Sequence, residues 1–227
     1  MTINNKLLRT LVTVVEDDEI LSETISAYLS SKGFQVNCFD SAEGFGEYLN
    51  STEEFQITSN CQRHPGIVLL DIRLNGMSGT SFFNHLNDEH PHFYWPVCFM
   101  TGHGDIAMAV ETVRDGAFDF LTKPFEPEKL LDIIELASKK SANLIKSFEF
   151  IGDYVNRLAK LTDKETEVMR YIVQGNTNKE ISAVLNNSTR TIELHRSRIF
   201  DKMDVSSATE LATLTERYHS LSNGGRL

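Results

Sequence analysis

The hydrophobic pattern divides the chain into two halves of different character. In the first, short apolar runs alternate with amphipathic stretches. Leu11 to Val15 is apolar and β-branched, and Ile20, Leu21, Ile25, Tyr28 and Leu29 then recur at helical spacing until Gly33. Phe34 to Phe39 reads as a second strand, and Ser41 opens a second helix. The run from Gly66 to Leu70 is continuously apolar, as expected of a strand covered on both faces in a parallel sheet. A helix over 79–88, a strand over 96–101, a helix over 105–115, a strand over 117–121 and a helix from Glu126 complete the series. Strict βα alternation predicts an α/β fold, a doubly wound five-stranded parallel sheet. Residues 51–65 are polar and aperiodic and predict an extended loop.

The second half is helical throughout. The last helix of the α/β series carries Leu130, Leu131, Ile134 and Ala137, and its pattern loosens between Ser147 and about Arg157. With no Pro there, that stretch predicts a short or partly helical connection. Thr162 and Glu165 have the spacing of a capping box, and Val168, Met169, Ile172 and Val173 line one helix face up to Gly175. A second helix starts at Asn178, and a third is capped by Ser188 after Asn186-Asn187. A fourth covers about 206–218. Two short helices across a tight Asn-Asn turn fit a helix-turn-helix. The expected organisation is an α/β domain over 9–126, an extended helix and linker over 127–157, and an all-α four-helix domain over 158–220.

Charge sharpens this division. Residues 1–154 carry 11 basic and 23 acidic side chains, a balance of −12, whereas 155–227 carry 11 and 9, a balance of +2. The acidic half suits a divalent cation, and the weakly basic half could meet a polyanion. Three cysteines (Cys38, Cys61, Cys98) without a CxxC pair fit a reducing cytoplasm rather than a disulfide framework. No apolar run approaches the roughly 18 residues of a membrane span, so no membrane partner is expected. Cys61 with His64, and the group His85, His90 and His92, lack a second ligand pair at zinc spacing.

The candidate chemistry lies where strands end. In open parallel sheets, ligands bind at the carboxyl edge. Asp17 and Asp18 follow the first strand, Asp71 ends the third, Thr101 the fourth, and Lys123 follows the fifth. Adjacent strands lie about 4.8 Å apart, so these carboxylates crowd together and favour a cation. A hard, all-oxygen donor set selects Mg²⁺ over zinc. A hydroxyl, an ammonium and a metal around one carboxylate can neutralise an arriving phosphoryl group. The inferred chemistry is phosphoryl transfer to Asp71, giving an acyl phosphate.

Four motifs carry a resemblance: Val-Val-Glu-Asp-Asp at 14–18, Asp-Ile-Arg-Leu-Asn-Gly-Met-Ser-Gly at 71–79, Met-Thr-Gly-His-Gly-Asp at 100–105 and Lys-Pro-Phe at 123–125. Residues 9–126 resemble the flavodoxin-like receiver domain of two-component response regulators, in the FixJ/NarL-like branch. The resemblance implies that Asp71 is the phosphoacceptor and that Asp18 and Asp71 bind Mg²⁺. It further implies that Asp17 holds a metal-bound water and that the Arg73 backbone carbonyl is another ligand. Thr101 and Lys123 are implied to contact the phosphoryl oxygens, and Phe120 to be the aromatic switch residue. Asn75 departs from the family pattern, which usually has Pro there. The implied partners are a sensor histidine kinase and, on phosphorylation, a second copy of the chain in a homodimer.

On the third helix of the C-terminal half, a 100° step per residue turns Ile192, Ile199 and Met203 inward. Arg190, Leu194, Ser197 and Arg198 then face out, a set suited to the major groove of double-stranded DNA. His195 falls near the inward edge. Leu-Thr-Asp-Lys-Glu-Thr-Glu-Val at 161–168, Gly-Asn-Thr-Asn-Lys-Glu-Ile at 175–181 and Ser-Thr-Arg-Thr-Ile-Glu-Leu-His at 188–195 resemble the LuxR-type DNA-binding domain. That resemblance implies phosphate contacts from Lys179, Thr191 and Arg196, and a dimer contact through the final helix. The combined expectation is a phosphorylation-dependent transcriptional regulator and not an enzyme. Two rivals stand beside it: an aspartate-nucleophile phosphatase, which wants an acid where Arg73 stands, and a stand-alone phosphorelay module, which needs no helix-turn-helix.

Overall fold

A computed structural model describes residues 10–52, 63–90, 93–102 and 106–223. Cys61, His92 and most of the 51–65 loop lie outside the described residues, as does the His103-Gly104-Asp105 part of the third motif. The chain forms two compact units, Met1–Ile145 and Lys146–Leu227.

The first unit is built as the alternation predicts. Its strands are β1 (Leu11–Val15), β2 (Gln35–Phe39), β3 (Gly66–Asp71), β4 (Val97–Thr101) and β5 (Asp119–Thr122). All neighbours pair in parallel, in the order β2-β1-β3-β4-β5. Helices α1 (Glu19–Ser31), α2 (Ala42–Ser51), α3 (Gly79–Glu89) and α4 (Ile106–Arg114) connect the strands, and α5 (Pro127–Leu158) follows β5. Successive side chains of a strand point to opposite faces. Val12, Val14, Ile67, Leu69, Cys98 and Met100 accordingly pack on one side with Ile25 and Leu29 of α1 and Leu130, Ile134 and Ala137 of α5. On the other side Phe83 meets Phe99 edge-on at 5.5 Å, and Phe45 meets Phe82 at 5.7 Å. Each such buried aliphatic or aromatic side chain contributes about 1.5–3 kcal/mol.

Small residues fit the helices to the sheet. Ser138 and Ser141 are buried polar positions on α5, and each has a partner: Thr10 Oγ1 lies 2.6 Å from Ser138 Oγ, and Gly66 N–H donates to Ser141 Oγ at 3.1 Å. Gly66 is required for packing, since a Cβ there would collide with the Trp95 indole. Trp95 is 2 % exposed and donates its Nε1 proton to the His64 carbonyl at 3.0 Å.

Where the sequence pattern loosens, the helix does not stop: α5 continues to Leu158. Its last turns are stabilised by contacts within the second unit. Tyr154 is buried, stacks on Tyr218 with centroids 4.3 Å apart and hydrogen-bonds Thr215 Oγ1 at 3.1 Å. Arg157 pairs with Asp153 one turn back at 2.8 Å and donates to the Met203 carbonyl at 2.7 Å. Apart from Asp153, these partners lie 46 to 64 positions downstream, beyond the reach of any local periodicity.

The second unit adds α6 (Asp163–Val173), α7 (Asn178–Val184), α8 (Thr189–Met203) and α9 (Ala208–Asn223). The Thr162–Glu165 capping box is present, and a second one, unread in the sequence, joins Thr177 to Glu180. Ser188 caps α8, and Asn186 takes a left-handed φ of 50° in the turn before it. Val168, Met169, Ile172, Ile181, Ile192, Ile199, Met203 and Leu211 form the core. Glu165 is buried among them, accepting from Lys202 Nζ at 2.6 Å and from the Thr162 N–H at 2.9 Å.

The Lys202 hydrogen bond, followed by that of the Thr162 amide, depresses the Glu165 pKa from 4.5 to about 2. A carboxylate with a lowered folded-state pKa stabilises fully above its unfolded pKa and loses that stabilisation as pH falls through the folded value. The window here runs from about pH 4.5 down to about pH 2. Glu165→Gln should therefore cost on the order of 2 kcal/mol at pH 7, and the deficit should shrink steadily below pH 4. Denaturant unfolding of both chains across this range is the measurement, and a deficit that does not change with pH would reject the ion pair as its source.

Candidate functional site

β3 is the central strand of the sheet and is buried along its whole length. Its last residue, Asp71, is 7 % exposed at the carboxyl edge, flanked by the ends of β1 and β4. The chain can turn sharply away from it because Gly79 opens α3 directly beside the Asp71 backbone, where a Cβ would clash with the carbonyl oxygen.

Three carboxylates converge at this edge: Glu16, Asp17 and Asp71 each place an oxygen within 4.8 Å of the others. This differs from the expected trio of Asp17, Asp18 and Asp71. Asp18 is exposed and N-caps α1, its side chain accepting from Leu21 N–H at 3.1 Å. Glu16 takes the inward position and is 2 % exposed. The chain leaves β1 after Val15, and Glu16 N–H still bonds the Phe39 carbonyl at 3.0 Å, so Glu16 remains held against the sheet. An Asp three residues before Leu21 at the start of a helical pattern is an N-cap signal, and read as one it would have excluded Asp18 from the cluster.

Lys123 lies between the carboxylates, its Nζ 2.6 Å from Glu16 Oε2 and 2.9 Å from Asp71 Oδ2. Burial pushes the Glu16 carboxyl pKa up; the Lys123 hydrogen bond opposes this, and the Asp71 charge adds to it. For Lys123, burial pulls the ammonium pKa down, but the bonds to Glu16 and Asp71 outweigh it and hold the value above the ordinary one. The ammonium supplies one positive charge to three acids, which leaves the site net negative. Thr101 is fully buried at the end of β4, and its hydroxyl donates to the Gly102 carbonyl at 3.0 Å. Phe120 is half-buried in β5, paired in register with Phe99. An open depression of about 710 Å³ is bordered by Glu16 and Asp17 and edged by Glu19 and Asp40.

The loop after β3 is held by the same kind of group. Asn75 N–H donates to Asp17 Oδ2 at 3.1 Å, and Met77 N–H to Glu43 Oε1 at 2.9 Å. Arg73 is exposed on this loop, two residues beyond Asp71. The donor set fits a hard divalent cation: it consists of oxygens, contains no thiolate or imidazole, and carries more negative charge than Lys123 neutralises.

The second unit presents the expected outward face. Arg190, Ser197 and Arg198 are exposed on α8, Leu194 is 51 % exposed, and Lys179 is exposed in the first turn of α7. Thr191 and Arg196 are half-buried. Thr191 shares a 2.8 Å hydrogen bond with Ser188, and the Arg196 guanidinium lies over the Phe200 ring at 5.5 Å. His195 is also half-buried, with a buried Nδ1 that has no partner among the described residues.

Removing Lys123 leaves three crowded acids without their cation. Lys123→Met should destabilise the metal-free chain by about 2 kcal/mol, less than a fully buried pair because the side chain is 21 % exposed. Mg²⁺ should recover part of that loss. Urea unfolding in chelator and in Mg²⁺ checks both parts, and equal stability of the two chains in chelator would rule out the proposed neutralising role.

Known proteins match both units of the chain. Residues 12–135 match the response regulator receiver domain, and residues 159–215 match the luxR family of bacterial regulatory proteins. The chain is 34% identical over 204 residues to the transcriptional regulatory protein FixJ of Bradyrhizobium diazoefficiens, covering 90% of this chain and 93% of that one. It is 34% identical over 207 residues to the response regulator protein TmoT of Ectopseudomonas mendocina, covering 91% and 88%. Among solved structures, the response regulator StyR superposes with a TM-score of 0.76 at 33% identity, covering 92% of this chain and 100% of that one. Full-length FixJ from B. japonicum gives 0.54 at 32%, covering 93% and 98%. With both of its domains matched and nearly its whole length shared with such proteins, the chain belongs to the two-component response regulators, joining a receiver domain to a LuxR-type helix-turn-helix domain.

Proposed function

We propose that this chain is a phosphorylation-dependent, DNA-binding transcriptional regulator in which Asp71 is the phosphoacceptor. The observation that carries the reading is the juxtaposition at the sheet edge: Asp71 stands 2.9 Å from the Lys123 ammonium and beside Glu16 and Asp17. A phosphohistidine of a sensor kinase is the donor. An Asp71 carboxylate oxygen attacks phosphorus, the P–O bond forms as the P–N bond breaks, and the imidazole leaves. Lys123 turns from a carboxylate oxygen to a phosphoryl oxygen, and the Thr101 hydroxyl donates to another. Glu16, Asp17, Asp71 and the Arg73 carbonyl would hold Mg²⁺, which supplies the countercharge for the transferring group. This set replaces Asp18 with Glu16 as the second acid beside Asp17. Inward movement of Thr101 makes room for Phe120, and the altered surface around α4 and β5 favours a homodimer. The dimer brings two outward α8 faces to a two-fold site in double-stranded DNA.

Two experiments test separate halves of this reading. With Mg²⁺ and acetyl phosphate, the wild-type chain should acquire a hydroxylamine-labile phosphoryl group and Asp71→Asn should not. Equal, acid-stable labelling of both chains would reject Asp71.

The DNA half predicts a division of labour. Arg190→Ala or Arg198→Ala should cost about 1–3 kcal/mol on the preferred duplex and little on random DNA. Lys179→Ala should weaken both alike and lower the salt slope by about one ion. Binding to both duplexes at several salt concentrations decides between them. The same loss from Arg190→Ala and Lys179→Ala on both duplexes would mean that α8 holds DNA without reading it.

A further inference from the structure

The loop that follows the phosphoacceptor is tied to one of the metal-site carboxylates through a backbone amide. Asp17 Oδ2 accepts from Asn75 N–H at 3.1 Å across 58 positions of sequence. Two residues on, Met77 N–H is held by Glu43 Oε1 at 2.9 Å. Between them Gly76 takes a φ of +84°, and a Cβ there would crowd the Glu43 carboxylate. The loop's course is thus fixed at two amides by two carboxylates from separate segments.

We propose that Asn75 is a positioning residue for the metal site, acting through its backbone N–H rather than its side chain. This rests on the reading of Glu16, Asp17 and Asp71 as a divalent-cation site. A carboxylate has two oxygens and about four lone-pair sites, so an amide on Oδ2 leaves Oδ1 for a cation. The bond fixes the orientation of Asp17. It also ties the loop bearing the Arg73 carbonyl, two residues before Asn75, to the end of β1. Donors from two segments are therefore brought together before a cation arrives, and less ordering remains to be done on binding. A proline at this position, as the family usually has, carries no N–H and cannot make the bond.

The test is calorimetric titration with Mg²⁺ alone on the full chain. Asn75→Pro removes the donor and should weaken binding about tenfold, the usual scale for losing an outer-shell partner. Asn75→Ala keeps the amide and should match the wild type. Amide hydrogen exchange gives a second readout that needs no metal: the Asn75 amide should be protected in the wild type and lose that protection in Asp17→Ala. Equal Mg²⁺ affinity of Asn75→Pro and wild type, with the Asn75 amide unprotected in both the wild type and Asp17→Ala, would overturn the proposal and leave the metal site standing. An equal loss in Asn75→Ala would overturn it in favour of the side chain. A wild-type chain that does not bind Mg²⁺ would instead reject the cation site beneath it.

Discussion

The receiver unit depends on how one ammonium group is shared. Lys123 arrives from the end of β5, two strands away from Asp71, and meets both Glu16 and Asp71 within hydrogen-bond distance. Without it the carboxyl edge of β1 and β3 would assemble acids in a half-enclosed site with nothing to balance them, and burial penalises that arrangement steeply. With it, the acids stay close, and Glu16 and Asp17 border the depression beside them. The sheet order makes this sharing feasible, because placing β1 beside β3 and β4 beside β5 brings four strand ends to one edge.

Much of this was legible in the sequence because strand and helix periods are local properties. The five strands and the caps at Thr162 and Ser188 follow from residue type and spacing, as does the inward trio Ile192, Ile199 and Met203 on α8. What the local pattern left open has a common origin. Three consecutive acids at 16–18 offer two adjacent pairs, and no period within a five-residue strand decides which pair turns inward. That choice is made by Lys123, 107 positions away, together with the cap that Asp18 makes for α1. The helix expected to extend into a partly helical connection is continuous through 147–158, and what holds that stretch lies out of local view, since Tyr154 and Arg157 find their partners near the chain's far end. The loop amides of Asn75 and Met77 were illegible for a further reason: backbone donors leave no mark in side-chain patterns.

The output unit solves a related problem differently. It is small and carries a nearly buried acid, yet Glu165 has every role filled: it closes a capping box and binds Lys202, linking α6 to α8. The helix that presents Arg190 and Arg198 is thereby braced at its far end, so its exposed face is set by packing rather than by the ligand. Rigid placement of this kind lowers the ordering cost of docking in a groove.

The chain's one tryptophan gives the receiver a private optical signal. Trp95 lies in the first unit, buried against Gly66 and bonded to the His64 carbonyl, while the second unit has tyrosines and phenylalanines but no tryptophan. Selective excitation of indole therefore reports the receiver's own packing, and tyrosine dichroism near 154, 171 and 218 carries a contribution from the output unit. The two halves of one polypeptide can be followed separately as they melt, and any difference between the two traces would measure how far their folding is coupled.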